Sequence, residues 1–114
     1  MTHNDHQAIF AIVNSGFAED VMDVARKAGA RGGTIINARG VVNEAAASFF
    51  GITMHSEKEI VMIVAPNAIK DDILNAIYSE MGMAKKAQGI AFSLPVSDTA
   101  GLAKPMEAPA EAEE

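Results

Sequence analysis

Two uninterrupted apolar runs constrain the fold of this chain more than any other feature of its sequence. The first, AIFAIV at 8–13, is closed by a turn cluster, and the second, IVMIVA at 60–65, is stopped by Pro66. Their length and their content of β-branched residues predict strands. Each run is followed by apolar residues at helical spacing, which predicts one helix over residues 18–28 and a second that Asn67 caps.

Two shorter segments complete an alternating pattern. Thr34 to Asn37 predicts a second strand, and Ile90 to Leu94 predicts a fourth strand that Pro95 ends. The order strand–helix–strand, repeated twice, fits a four-stranded antiparallel sheet with two helices on one face, which is the ferredoxin-like βαββαβ fold of the α+β class. Right-handed crossovers place the first and third strands at the centre of this sheet.

The length of 114 residues fits a single domain, which we place over residues 1–102. Met1 to Gln7 is polar and aperiodic, so we expect a loose end there. Residues 103–114 are mostly Ala, Glu and Pro, a composition that predicts a disordered acidic tail. Neither a signal peptide nor an apolar segment of membrane-spanning length is visible, so we expect a cytoplasmic protein.

Charge and residue types exclude several classes of function. A formal net charge of −6 argues against general nucleic-acid binding, which needs a basic surface. Cysteine is absent, and His55 is the one histidine outside the loose end, so we predict no metal site. The nucleophile, P-loop and paired-carboxylate motifs of common enzymes are also missing, so we expect a protein that is not an enzyme.

The two apolar runs lack the alternation that a strand with one wet face shows. They therefore predict that both faces of the central strands are buried, although helices cover only one. We expect other subunits to cover the second face, in a dimer or a ring of closed symmetry. The alternative is that small apolar side chains simply remain exposed there.

Three connections hold candidate functional residues. The segment from Ala38 to Ser56 is long for a loop, and long loops are often functional. Its Phe49 and Phe50 are interpreted first as packing anchors of the loop rather than as residues that stack on a ligand, and alternatively as contacts to a partner. Before the fourth strand, two lysines and a glycine favour an anion site of loop amides and point charges, although lysines past a helix end are often only solvated. The glycines around the second strand have two interpretations: they let the backbone approach a ligand closely, or they only form ordinary turns.

Three stretches resemble the PII signalling proteins and their PII-like relatives: GGTIINARG at 32–40, KEIVMIVAP at 58–66 and QGIAF at 88–92. The resemblance covers residues 7–96. It implies a homotrimer whose open sheet faces line the centre and whose three inter-subunit clefts bind an adenine nucleotide. It also implies that residues 38–56 form the T-loop, which contacts a regulated transporter or enzyme, and that residues 83–89 form the B-loop.

The resemblance further implies a set of nucleotide-binding residues. Gly33 and Thr34 match positions that face the adenine from the neighbouring subunit, and Val64 matches an apolar contact to the base. The implied residues around the phosphates are Arg39, Gly40, Lys58, Lys85, Lys86, Ala87, Gln88 and Gly89.

The chain departs from the family pattern in ways that bear on its ligand. Ile90 stands where a lysine is usual, and no arginines follow the fourth strand. Charge-assisted contacts contribute about 1.5–3 kcal/mol each, so we expect ADP or AMP to be favoured over ATP, or a different anion to be bound. The alternatives are a trimer of the same fold that binds a partner but no nucleotide, a metal-binding trimer, and, last, an acylphosphatase-like enzyme, for which the turn after the first strand lacks the required arginine.

Overall fold

The computed structural model describes residues 2–41 and 56–102. They form one antiparallel sheet with the strand order β2-β3-β1-β4 and two helices. This confirms the ferredoxin-like arrangement and the central position of the first and third strands. The elements are β1 (Thr2–Asn14), α1 (Ala18–Lys27), β2 (Thr34–Arg39), β3 (Glu57–Pro66), a 3₁₀ turn (Asn67–Ile69), α2 (Lys70–Met81) and β4 (Ile90–Thr99).

Both helices pack on the same face of the sheet, where the core lies. Alternate residues of β1 and β3 point to this face and are fully buried, since side chains of a strand alternate between its two sides. Burying each of these Val and Ile side chains contributes about 1.5–3 kcal/mol. The largest fully buried side chains are Ile9, Val13, Val21, Val61, Ile63, Ile73 and Ile77.

The opposite face of the sheet is apolar, and no element of the described residues covers it. Phe10 of β1 stacks on Phe92 of β4 with ring centroids 5.4 Å apart. Phe92 is 42% exposed and Val64 is 40% exposed, although both belong to apolar strands. Among the described residues, burial of the central strands is thus one-sided, and the predicted cover of the second face stays a prediction.

The two ends of α1 are fixed by interactions that the sequence partly signals. Acidic residues occupy its first turn and basic residues its last, which complements the helix dipole. Gly29 follows with a φ of +112°, a left-handed conformation that favours glycine. Its N–H bonds to the Arg26 carbonyl, and the Ala30 N–H bonds to the Ala25 carbonyl, so that a Schellman motif ends the helix.

All four strands are longer than the sequence predicts, and β1 and β4 differ most from their predicted bounds. The N-terminal segment is part of β1 from Thr2 onward, so the prediction of a loose end is wrong for residues 2–7, while Met1 lies outside the described residues. The strand keeps pairing with β4 because the register shifts between His3 and His6, and the side chains of His3 and Asp98 then meet.

The prediction that Pro95 ends the fourth strand is also wrong, since β4 continues to Thr99. The strand lies at the edge of the sheet, with β1 as its only neighbour. An edge strand tolerates a proline because one side of its backbone needs no donor.

The expected helix cap at Asn67 is likewise not found. Asn67 begins the 3₁₀ turn, and its side-chain amide donates to the Asn4 carbonyl at 3.0 Å instead. Helix α2 starts later, at Lys70, with no side-chain cap. The asparagine therefore fastens the N-terminal end of β1 to the end of β3.

Several expectations lie outside the described residues. They concern most of the 38–56 connection, with Phe49, Phe50 and His55, and the acidic tail over 103–114. Among the described residues, no helix is both long and apolar enough to cross a membrane.

Candidate functional site

The loop over residues 82–89, here called the lysine loop, joins α2 to β4 in a tight conformation. Three backbone hydrogen bonds close it, from Lys85 N to Gly82 O, from Gln88 N to Lys85 O, and from Gly89 N to Met81 O. Gln88 has a φ of +50°, in the left-handed region. At Gly89 an added Cβ would collide with the Met81 carbonyl oxygen, so this position has no room for a side chain. The loop is thus held in one shape by the chain itself.

Asn14, the last residue of β1, fastens the lysine loop to the sheet. Its backbone N–H bonds to the Ala87 carbonyl at 2.9 Å. Its side-chain Nδ2 donates to the Lys86 carbonyl at 3.0 Å and to Gln88 Oε1 at 3.2 Å. With 6% of its surface exposed, Asn14 is the buried polar residue of the described chain.

Lys58 of β3 lies directly opposite Asn14 in the sheet register. Its ammonium donates to Asn14 Oδ1 at 2.8 Å. Its aliphatic part passes beside Gly40, where an added Cβ would lie 3.2 Å from Lys58 Cε. Gly40 N also donates to Ser56 O at 2.6 Å, which closes the base of the long connection. Lys58 therefore stands between this base and the lysine loop.

Positive charge at this end of the sheet is not neutralised within the described residues. The ion pairs among the described residues are His3–Asp98, Arg26–Asp23 and Lys70–Asp71. Lys58, Lys85 and Lys86 take part in none of them. Lys85 and Lys86 are exposed on the loop, and Lys58 is half-buried beneath it. Three ammonium groups beside a preformed loop suit an anion such as a phosphate.

The turn over residues 14–18, here called the first turn, has the opposite arrangement. The Glu59 carboxylate, through one oxygen, accepts the Gly16 N–H at 2.9 Å and the Ala18 N–H at 3.0 Å. The amides at the start of α1 are thus satisfied by an anion of the protein. An acylphosphatase-like phosphate site would need these amides, so the structure gives that alternative no support.

The structure brings together part of the predicted phosphate site. Gly40, Lys58 and the backbone of residues 86–89 lie at one end of the sheet. Arg39 pairs with Glu57, one residue away from Lys58 along β3, and so belongs to the other face of the sheet. Within residues 2–41 and 56–102, no group of three metal-ligating side chains is close enough to hold a metal ion.

The residues expected around the base lie farther along the strands. Val64 is six positions from Lys58, about 20 Å at the rise of an extended strand. Thr34 pairs with Met62 and lies on the same open face. At Gly33, packing within the chain alone accounts for a glycine, because an added Cβ would lie 2.8 Å from Met22 Sδ and 3.0 Å from Ile63 Cγ1. One chain does not join Gly33 and Thr34 to the lysine loop.

Sequence reasoning missed Asn14, which it assigned to an ordinary turn cluster. The missing information was the strand register, because only the pairing of β1 with β3 sets Asn14 against Lys58. One signal was available. A polar residue directly ends an apolar strand whose neighbours are buried, and such a residue is usually hydrogen-bonded.

Comparisons with known proteins agree with this architecture. A family model described as "Nitrogen regulatory protein P-II" matches residues 6–104. No curated protein sequence matches the chain.

Three solved structures illustrate the match in fold. Arabidopsis thaliana PII bound to citrate is 24% identical, with a TM-score of 0.62 over 83% of this chain and 78% of that chain. CPII from Thiomonas intermedia K12, bound to ADP, AMP and acetate, is 12% identical, with a TM-score of 0.63 over 88% and 94%. The B. subtilis GlnK–ATP complex is 14% identical, with a TM-score of 0.60 over 87% and 88%. At these identities the likeness lies in the fold.

Proposed function

Since this chain belongs to the nitrogen regulatory protein P-II family, we propose that it is a non-enzymatic sensor that binds an adenine nucleotide and passes its state to a partner protein. The family match confirms the resemblance predicted from the sequence. One observation carries the proposal: among residues 2–41 and 56–102, the ammonium groups of Lys58, Lys85 and Lys86 have no carboxylate partner, and they lie on or beside a loop whose shape internal hydrogen bonds fix. Such a site offers point charges and backbone amides to a phosphate.

ADP or AMP is the proposed effector, with ATP as the weaker ligand. The lysine loop is followed by Ile90, an apolar residue that is 54% exposed, so the start of β4 adds no charge to the site. Three lysines compensate the charge of a mono- or diphosphate better than that of a triphosphate. Of the matched structures, CPII carries ADP and AMP, and GlnK carries ATP.

Assembly into a homotrimer completes the proposed site. The uncovered sheet face is apolar over all four strands, and exposed apolar surface of this extent favours an interface. A neighbouring subunit would then bring its Gly33 and Thr34 toward the lysine loop, and the apolar contact to the base would come from Val64. Residues 38–56, with Phe49 and Phe50, are the proposed contact to a regulated transporter or enzyme.

Calorimetry on the purified protein, together with its mass by light scattering, tests this proposal. We expect saturable heat with ADP at one site per chain, weaker binding of ATP, and the mass of three chains. A mass of one chain would contradict the shared site, and the absence of heat with ADP, AMP and ATP would reject the sensor.

A trimer that binds a partner but no nucleotide is the second candidate. It is favoured by the apolar Ile90 at the mouth of the lysine loop, where the family usually places a cation. It predicts no thermal shift with any adenine nucleotide. It also predicts a partner that is retained in pull-downs by the natural chain and lost after Phe50→Ala.

A further inference from the structure

Every polar group of Asn14 is engaged. Its N–H and its side-chain Nδ2 donate to the lysine loop, its carbonyl accepts the Phe17 N–H at 3.2 Å, and its Oδ1 accepts the Lys58 ammonium. Buried polar groups are costly when unpaired, so a residue satisfied on all sides holds its neighbours in place. Asn14 thereby connects β1, β3 and the lysine loop at a single point.

We propose that Asn14 is a positioning residue of the anion site, which holds the Lys58 ammonium against the lysine loop without neutralising its charge. This inference rests on the proposed function. It concerns a residue of the sheet rather than of the loops that are expected to touch the ligand.

The chemistry of the amide explains why asparagine suits this position. Its oxygen accepts from the ammonium, while its nitrogen donates to a carbonyl and to the Gln88 side chain at the same time. An aspartate has the same shape, but when ionised it only accepts, so it would face the Lys86 carbonyl with no proton to donate. It would also form an ion pair with Lys58 and compete with the ligand for that charge. Only the amide both fixes the cation and leaves its charge available.

The test is ADP calorimetry at one fixed salt concentration on the natural protein and on variants. We expect Asn14→Asp to weaken ADP binding by about tenfold or more, and Lys58→Gln to weaken it by a similar factor, as for the loss of one charge-assisted contact. The matched control is Asn67→Ala, which removes an asparagine hydrogen bond at the opposite end of β3 and should leave the affinity within about twofold.

A double-mutant cycle separates positioning from simple support of the fold. If Asn14 acts through Lys58, the ADP affinity of the double variant Asn14→Ala with Lys58→Gln should lie within about twofold of that of the weaker-binding single variant. Multiplied losses would assign Asn14 a general structural role and overturn the inference. If Asn14→Ala does not fold, the near-isosteric Asn14→Asp decides, and an affinity within twofold of the natural protein overturns the inference. Absence of ADP heat in the natural protein overturns the proposed function, and this inference with it.

Discussion

The two glycine-containing loops that border Asn14 present backbone amides in different ways. In the first turn, the amides at the start of α1 are occupied by the carboxylate of Glu59. In the lysine loop, internal carbonyls accept the amides that shape the backbone, and no carboxylate of the described residues pairs with Lys85 or Lys86. Among the described residues, the amides of the first turn therefore have a carboxylate partner, and the lysines of the lysine loop have none.

This difference teaches that glycine content alone does not identify an anion site. Both loops combine glycine with polar residues next to an apolar strand, the first turn after β1 and the lysine loop before β4. What separates them is the residue that the fold places opposite. Glu59 and Lys58 are adjacent in sequence, and strand alternation sends one to the first turn and the other toward Asn14.

The largest expected effect comes from removing the space that the lysine loop needs. Gly89→Ala places a methyl group against the Met81 carbonyl, so the loop has to shift. We expect the free energy of unfolding to fall by about 3 kcal/mol, at the upper end of overpacking costs. Chemical denaturation measures this, and ADP calorimetry should show binding weakened more than tenfold.

Gly32→Ala is the matched control for stability, because nothing lies within 4 Å of an added Cβ there. It should change the free energy of unfolding by less than about 1 kcal/mol in either direction. Equal losses at the two glycines would contradict the close packing of the lysine loop.

The second effect tests the first turn. Glu59→Ala leaves the amides of Gly16 and Ala18 without their acceptor, so we expect a loss of about 2 kcal/mol in unfolding free energy. Glu59→Gln keeps an acceptor without the charge and should lose about half as much. Denaturant titration of both variants gives the comparison.

Glu57→Ala is the control for this pair, since Glu57 is an exposed carboxylate two residues away on the same strand. Its loss should stay within about 0.5 kcal/mol. A Glu59→Ala variant as stable as Glu57→Ala would show that the first turn does not depend on its internal anion.

The smallest effect concerns the exposed charges of the lysine loop. Lys85→Ala combined with Lys86→Ala should weaken ADP binding by about tenfold, because exposed charges are screened by water and salt. The loss should shrink as salt is added during calorimetry. Lys27→Ala with Lys70→Ala removes the same charge elsewhere and should leave the affinity nearly unchanged, whereas an equal loss would point to net charge rather than to the loop.

The sequence sufficed for the elements whose signals are local and for the order in which they pair. The apolar runs and the crossover rule placed β1 and β3 at the centre, and helical spacing found both helices. The predicted end of β4 at Pro95 was wrong because a strand at the edge of a sheet tolerates a proline. The sequence does not show which strand lies at the edge before the topology is known.

The site was only partly predictable for a related reason. Lys85, Lys86 and Gly89 are close together in the chain, so a candidate anion-binding loop can be inferred there from the local pattern and the family resemblance. Asn14 and Lys58 are 44 positions apart, and their contact depends on strand register. Gly33, which resembles a ligand position, is explained inside one chain by the nearby Met22 side chain.

The pairing of β1 with the last strand also bears on how the chain matures during synthesis. On one side of β1, His6 pairs with Pro66 of β3, whereas its partner on the other side is Val96 of β4, 90 positions later in the chain. A nascent chain therefore exposes one backbone edge of its longest strand until β4 has been synthesised. Because contacts between distant positions slow folding, we expect closure of the sheet to be a late step of folding, with the lysine loop taking shape in the same step.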